Sequence, residues 1–521
     1  MKKITALPLL LSAAGSAFAQ ERPNLLVIIT DEQTIKSLGC YRDMMDEDQA
    51  YPWGRQAYVE TPNLDRIADE GAICTRYYAS CPVSTPSRAS FQTGLYPIAT
   101  GAPINDMAMD ANLTTYAEML RRAGYNTSYV GKWHLGGVPK INRPYFEPGY
   151  AFGYMNRTYM YDDGHWKWYD VVGEPNRIKA YADKAGAQEK YEYTTDYFAD
   201  KALLVLDEEI NKDAPFYMML SIPDPHSPDV AREPYRSEYL KLNYENPETA
   251  VTPESDDRPR WGRVGFDVSK KKFDSAAVAN YFGSVKCIDD NIGRIFDYLE
   301  EQKVMDDTII VFLSDHGDML WEHSRINKGV PYESSARIPF MIRYPKKIRA
   351  GKVISTPYTT ADFAPTILGL MGVDQIDGEQ HGVDDSEAFV SRSKKVSSER
   401  IIYTTSCPYN EWTMATDGRY KLVLSCLDTP TLFDLEVDPD EKINFYADPK
   451  YKEVVTRLQP ELIRQMKQYN EPALSLGIKY LYNADDKVTY VRKTTEQRNY
   501  KPNPLEPLII DMERSVVRPL R

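Results

Sequence analysis

Cysteine and histidine are scarce in this chain, with six of each among 521 residues. The cysteines (Cys40, Cys74, Cys81, Cys287, Cys407 and Cys426) show none of the paired spacings that hold a structural metal. Cys407 with Cys426 is the only disulfide they suggest. No internal repeat or low-complexity tract is present, which excludes a repeat architecture. Positive charge is also lacking. The formal net charge is −13, and an acidic surface argues against nucleic acid as a partner. An anionic substrate would therefore need a locally positive pocket.

The one apolar run of note stands at the start. Lys2 and Lys3, an apolar stretch through Leu11, and Ala17-Phe18-Ala19 before Gln20 read as a secretory signal over residues 1–19. The run is too short to span a bilayer as a mature helix, so no membrane span is expected. No cysteine follows the cleavage point to carry a lipid. A periplasmic or secreted location follows, where disulfides are permitted but not required.

The length allows a large core and more than one domain. Asn24 to Thr30 is a continuous Val/Ile-rich run suited to a strand buried on both faces, and it ends in Asp31-Glu32. Thr61-Pro62 opens a helix, with Leu64, Ile67 and Ala68 on one face. Thr115 with Glu118 forms a capping box. The strand Asn126 to Val130 delivers Gly131-Lys132-Trp133-His134. Residues 140–195, rich in aromatics and glycine, read as surface loops. Phe216 to Ile222 is a buried strand ending in Asp224-Pro225-His226. Ala276 to Glu300 is a long amphipathic helix. Thr308 to Leu313 is another buried strand and ends in Ser314-Asp315-His316-Gly317. This alternation predicts an α/β fold with a large, mostly parallel central sheet flanked by helices. After about Gly372 short strands separated by turns, then a helix near 450–469, predict a smaller C-terminal α+β domain with an antiparallel sheet. The expected division is 20–385 for the catalytic domain and 386–521 for the C-terminal subdomain and its wrapping tail.

Open α/β sheets place their sites at the C-terminal ends of the strands, where these acids, lysines and histidines collect. Carboxylates that converge repel one another unless a cation sits among them. Asp31, Glu32, Asp315 and His316 therefore suggest an oxygen-rich metal site, with Ca2+ favoured over Mg2+. Unrelated helix caps would also explain Asp31 and Asp315. The remaining candidates are Arg88, Lys132, His134, His226 and Lys328, which are cationic or able to transfer a proton. One further stretch joins them: Ser84-Thr85-Pro86-Ser87-Arg88, running on to Thr93-Gly94. Thr85-Pro86 reads as a helix start, with Ser84 just outside the N-terminus in a place suited to an anion. An ordinary capped helix has the same spacing.

The order Ser-x-Pro-Ser-Arg resembles the signature of the formylglycine-dependent (type I) sulfatases. Thr61-Pro62-Asn63-Leu64-Asp65, Gly94-Leu95-Tyr96-Pro97, Gly131-Lys132-Trp133-His134, Pro225-His226-Ser227-Pro228 and Ser314-Asp315-His316-Gly317 resemble that family's landmarks, in its order. So do Lys328-Gly329, Tyr332-Glu333, Arg337-Ile338-Pro339 and, near the C-terminus, Leu432-Phe433-Asp434-Leu435. The resemblance implies an alkaline-phosphatase-like fold and a carbohydrate sulfatase of the serine-type bacterial group. It makes Ser84 the precursor of formylglycine (3-oxoalanine), whose hydrate attacks sulfur and then releases sulfate. It assigns the metal to Asp31, Glu32, Asp315 and His316. Arg88, Lys132 and Lys328 would meet charge on the sulfate, His134 would serve as base, and His226 with Lys328 as acid.

Two departures stand out. Glu32 occupies the place of a usual aspartate, so that Gln33 is an alternative ligand, and His316 that of a common asparagine. A serine at 84 implies maturation by an anaerobic radical-type sulfatase-maturating enzyme. The expected substrate is a sulfated galactose- or hexosamine-containing glycan, with Asn105, Asp106, His323 and Arg325 as contacts. The aromatics Tyr154, Tyr159, Tyr161, Trp166 and Trp168 fit a sugar platform or core packing equally well. Two rival readings are a phosphatase or phosphonate hydrolase of the same superfamily and a non-catalytic glycan-binding protein. Too few histidines for two zinc sites count against the first, and the cost of unpaired buried charges against the second.

Overall fold

The computed structural model describes residues 22–135 (except 106) and 193–471 (except 228, 264, 407–411 and 426–427), with the backbone of short strands between 151 and 168 and between 481 and 519. The signal segment, Asp106 and the Cys407–Cys426 pair lie outside the described residues.

Four parallel strands carry the molecule: β1 (Asn24–Asp31), β2 (Asn126–Lys132), β3 (Phe216–Pro225) and β4 (Thr308–Ser314). β1 pairs with β3 on one side and β4 on the other, and β2 lies beyond β3. Alternate residues of β1 enter opposite cores. Leu25, Val27 and Ile29 pack with Phe91, Phe363, Ile367 and Leu368. Leu26 and Ile28 pack with Leu64, Ile67, Phe198, Ile288, Ile292 and Phe296. The first layer includes the helices α2 (Ser84–Thr93) and α5 (Phe363–Met371). The second holds α1 (Pro62–Asp69), α3 (Thr194–Ile210) and α4 (Ser275–Glu301). Coverage on both faces is why the strands are apolar throughout rather than alternating. Each Leu, Ile or Phe so buried is worth about 1.5–3 kcal/mol.

Shorter strands widen this sheet to eleven. Phe340–Arg343, Ala72–Cys74, Lys352–Ile354 and Lys395–Val396 extend it past β4, and Ala151–Tyr154, Tyr159–Asp162 and His165–Trp168 extend it past β2. Only Phe340–Arg343 and Tyr159–Asp162 run antiparallel to both neighbours. The expectation of loops over 140–195 is thus corrected. Three short strands occupy 151–168, and α3 begins at Thr194. Their aromatic side chains lie outside the described residues.

The C-terminal unit is an antiparallel sheet of Ile402–Thr405, Trp412–Thr416, Tyr420–Ser425 and Thr431–Asp434 in sequence order. Leu422, Leu424 and Leu432 pack under α6 (Lys452–Gln468) through Val455, Leu458, Leu462 and Met466. Trp412, Met414, Val423 and Phe433, on the opposite face, pack on Tyr78, Trp261 and Tyr332 of the main body. No helix among the described residues is long and apolar enough to cross a membrane.

Candidate active site

Register sets the level of the site. Thr30 stands opposite Ser314, and Asp31, beyond an irregularity in the ladder, opposite Pro225. Asp31, Lys132, His226, Asp315 and His316 therefore leave the sheet along one edge. On β2 the chain turns at Gly131, where φ is +113° and a Cβ would lie 1.9 Å from the Ser221 carbonyl oxygen. Only glycine fits against β3 at the step that delivers Lys132.

Ser84 enters this edge from α2. The helix begins at Ser84 itself, two residues earlier than Thr85-Pro86 indicates, and no side chain caps it. The Thr85 hydroxyl instead donates to the His134 carbonyl at 2.8 Å, and the Thr85 N–H donates to Asn105 Oδ1 at 3.0 Å. Ser84 Oγ is thereby held 2.9 Å from His316 Nε2 and 3.4 Å from Asp31 Oδ1.

The charged and polar side chains of this cluster, Asp31, Arg88, Lys132, Asp315 and His316, are all buried. Asp315 Oδ2 accepts from Arg88 Nε at 2.7 Å, and its Oδ1 accepts the N–H groups of Glu32 and His316 at 3.1 and 2.9 Å. Asp31 is paired with Lys132 and lies 3.8 Å from Arg88 Nη2. Burial alone would raise the Asp31 carboxyl, but the cations around it, Lys132 first, hold it well below the usual carboxylate range. Arg88 Nη1 donates to the Lys132 carbonyl at 3.1 Å and to Ser221 Oγ at 2.8 Å. Its Nη2 has no hydrogen-bond partner among the described residues.

Asp31, Asp315 and His316 present three ligand atoms within 4.8 Å of one another. His316 Nδ1 faces the Gly317 carbonyl at 3.0 Å. A carbonyl can only accept, so Nδ1 carries the proton and Nε2 points a bare lone pair at the two carboxylates. Burial lowers the ring's pKa to about 4, which keeps it neutral. Anionic oxygens and a lone pair converging in this way fit a hard divalent cation.

Glu32 is not part of this trio. Its backbone is left-handed (φ +68°), and its longer arm carries Oε2 to Lys328 Nζ at 3.0 Å and His226 Nε2 at 3.1 Å. Lys328 Nζ also lies 2.5 Å from His226 Nε2. Burial pushes the Glu32 carboxyl up to about 8, with Lys328 opposing. Its other oxygen, Oε1, is buried without a partner among the described residues. Gln33 donates through Nε2 to Ser37 Oγ at 3.3 Å.

The sulfatase family profile matches residues 23–373, two-thirds of the chain. The chain belongs to the sulfatase family. It is a sulfuric ester hydrolase with the alkaline-phosphatase-like fold. A second profile, the C-terminal region of N-sulphoglucosamine sulphohydrolase, matches residues 321–468. Choline-sulfatase of Rhizobium meliloti is 29% identical over 451 residues, covering 82% of this chain and 83% of that one. N-acetylglucosamine-6-O-sulfatase of Bacteroides thetaiotaomicron is 27% identical over 537 residues, covering 88% and 90%. A solved structure of a protein in complex with its substrate D-glucosamine-2-N,6-O-disulfate superposes with a TM-score of 0.71 at 23% identity. It covers 86% of this chain and 98% of its own.

In this sulfatase the other expected contacts lie apart. His323 is buried and stacks on Tyr332, with ring centroids 3.8 Å apart. Arg325 donates to the Gly262 carbonyl. Neither touches the Ser84 cluster among the described residues. Sequence reasoning overlooked Ser221, whose hydroxyl accepts from Arg88 and donates to the Lys132 carbonyl at 2.7 Å. A serine inside the apolar run Phe216–Ile222 was the available signal. It also overlooked Tyr281, whose hydroxyl donates to the Glu32 carbonyl at 2.7 Å and accepts the Thr34 N–H at 2.9 Å. Nothing local marks a tyrosine of α4 for that role.

Proposed function

We propose that this sulfatase hydrolyses a sulfate ester on a galactose- or hexosamine-containing glycan, using a formylglycine derived from Ser84 and a divalent metal, Ca2+ ahead of Mg2+. The observation that carries the reading is the Ser84 hydroxyl, held between His316 Nε2 and Asp31 Oδ1 within a buried charge cluster. The relative active on N-acetylglucosamine 6-sulfate supports a hexosamine. Asp31, Asp315 and His316 would hold the metal, with Glu32 the nearest further carboxylate, and the ion would neutralise sulfate oxygens. Ser84, once oxidised and hydrated, would supply one hydroxyl for attack on sulfur and a second whose deprotonation would let sulfate leave.

The chain's own groups do the rest. Arg88, clamped by Asp315 and Ser221, presents Nη2 to the transferring group, and Lys132 adds positive charge beside it. Lys328 Nζ and His226 Nε2, 2.5 Å apart, are the proposed source of the proton for the leaving alcohol oxygen. His134 is the base proposed for the second half-reaction. Asn105, through its bond to the Thr85 N–H, sets the start of α2 and stays proposed as a substrate contact. Asp106 and His323 stay proposed as contacts. A radical-type maturating enzyme would oxidise Ser84, and export by residues 1–19 would place the enzyme in the periplasm or outside the cell. The division at 385/386 is kept as the proposed domain boundary.

The test is peptide mass spectrometry across Ser84 on protein made beside a maturase, paired with a sulfate-release assay. Loss of two hydrogens at Ser84 that tracks with activity is the expected result. Full activity with unmodified Ser84 would overturn the formylglycine mechanism.

A further inference from the structure

The turn that follows β1 is held from two sides. On one side β4 receives it: the Glu32 N–H donates to Asp315 Oδ1 at 3.1 Å and the Gln33 N–H to Ser314 Oγ at 2.9 Å. On the other stands Tyr281 of α4, fully buried. Its hydroxyl donates to the Glu32 carbonyl at 2.7 Å and accepts the Thr34 N–H at 2.9 Å. Glu32 is left-handed at this turn, a conformation that a residue with a side chain keeps only where its surroundings impose it. From this backbone its carboxylate reaches Lys328 Nζ at 3.0 Å and His226 Nε2 at 3.1 Å.

The same turns of α4 hold the segment that follows His226. Asn280 Oδ1 accepts the Ala231 N–H at 3.2 Å, and Ser284 Oγ donates to the Val230 carbonyl at 3.2 Å. Asn280 and Ser284 are four residues apart and so share a face of the helix. Gly283, between them, lets the helix come close: a Cβ there would lie 2.6 Å from Ala231 Cβ. Asn280, Tyr281 and Ser284 are all buried. One rigid helix thus grips the backbone on both arms of the Glu32–His226–Lys328 group. Among the described residues, none of the three hydrogen-bonds to Ser84, or to the side chain of Asp31, Asp315 or His316.

We propose that Tyr281, supported by Asn280 and Ser284, is a positioning residue for protonation of the leaving alcohol. It fixes the Glu32 turn so that Glu32 aligns Lys328 and His226 as one proton-donating group. This rests on the acid role proposed above for Lys328 and His226 and names what sets their geometry. In that step the bond from sulfur to the substrate alcohol oxygen breaks, and its electron pair stays on that oxygen. The proton from the Lys328–His226 pair goes to the same atom. A sugar alkoxide leaves poorly without this proton, whereas para-nitrophenolate leaves without it. Misplacing the donor therefore slows the sugar ester and spares the aryl ester.

The test uses matured full-length enzyme and its Tyr281→Phe, Ser284→Ala and His226→Ala variants. The probes are para-nitrophenyl sulfate and the sulfated hexosamine that wild-type enzyme hydrolyses fastest. Phenyl sulfate, a poorer leaving group than the nitrophenyl ester, replaces the sugar if none is hydrolysed. Tyr281→Phe is expected to lower kcat on the sugar ester about 5–30-fold with KM within about threefold. Its turnover of para-nitrophenyl sulfate should stay within about threefold of wild type. His226→Ala should show the same selectivity at about 10^2-fold or more. Calorimetric Ca2+ binding should be the same in Tyr281→Phe as in wild type, which separates this role from support of a metal site. Should Tyr281→Phe fail to fold, Ser284→Ala reads the other arm, with a selective loss of about threefold. An equal loss on both esters, no loss on either, or weakened Ca2+ binding overturns the proposal while His226→Ala stays selective. If His226→Ala strikes both esters alike, the acid reading itself has failed and takes this proposal with it.

Discussion

Two clusters of buried charge among the described residues are built to opposite rules. One joins the C-terminal sheet to the main body. Lys421 is fully buried, and its Nζ meets the Pro331 carbonyl at 2.8 Å, Glu441 at 2.7 Å and Glu333 at 2.6 Å. Glu441 takes the Glu333 N–H on its other oxygen at 2.7 Å, and Glu333 takes the Tyr78 hydroxyl at 3.2 Å. The other cluster surrounds Ser84. There Glu32 Oε1 makes no hydrogen bond among the described residues, Arg88 Nη2 reaches Asp31 only at 3.8 Å, and His316 turns a lone pair toward carboxylates. Charges matched among themselves make a joint. Charges left over make a site, because their balance is completed by what binds.

Exchanging the roles would test the contrast. Ser84→Ala should lower sulfate release by at least about 10^4-fold. It should leave the melting temperature within about 2 °C, since the hydroxyl contacts only His316 and Asp31 of the site. Lys421→Met should do the reverse. It strands Glu333 and Glu441, and a lost buried partner costs about 3–5 kcal/mol. Urea unfolding should show that loss, with kcat per folded molecule within about threefold of wild type. If Lys421→Met abolishes turnover in protein that is still folded, the two clusters are not separate.

Metal should distinguish the clusters as well. Chelated enzyme titrated with Ca2+ should gain about 2.7 kcal/mol at a hundred times the dissociation constant, by mass action on the folded state. Asp315→Asn should remove that gain, and Lys421→Met should keep it. A full gain in Asp315→Asn would put the ion elsewhere. A smaller effect belongs to Ser221, which ties Arg88 to the Lys132 carbonyl from inside β3. Ser221→Ala should cost about 1–2 kcal/mol, or about 5–30-fold in kcat, with KM changed less than threefold. An equal rise in KM would make Ser221 a part of binding rather than of positioning.

Much of this was legible from the chain. The apolar runs of β1, β3 and β4 and the acids that follow them could be read because burial on both faces leaves a pattern within a single segment. What escaped was pairing at a distance. Strand Trp412–Thr416 is short and mixed, and its register depends on neighbours on both sides. Glu32 reads as a metal ligand from its place beside Asp31, yet Lys328, 296 residues away, draws its carboxylate off. The start of α1 shows the same limit. Thr61-Pro62 marks the place correctly, but Thr61 provides no cap. Asp289 of α4 provides it, accepting the N–H groups of Asn63 and Leu64 at 3.0 and 2.9 Å.

Asp289 also gives the comparison an intermediate case: a buried carboxylate supplied with donors but with only one cation, Lys286, at 3.3 Å. Burial outweighs those donors and lifts its pKa to about 6. In the unfolded chain the value is about 3.9. Between roughly pH 4 and 6 the folded protein therefore holds a proton that the unfolded chain has released. The stability this contributes is complete below pH 4 and falls as pH rises through the window, by roughly 2–3 kcal/mol. Asp289→Asn keeps an acceptor and cannot titrate, so the variant should lack this decline. Urea midpoints at pH 4 and pH 7 check it: the advantage of wild type over Asp289→Asn should shrink by that amount between the two. A gap that stays constant, or widens toward pH 7, would mean that the helix N-terminus and Lys286 hold this carboxylate ionised, placing it with the matched charges of the Lys421 joint.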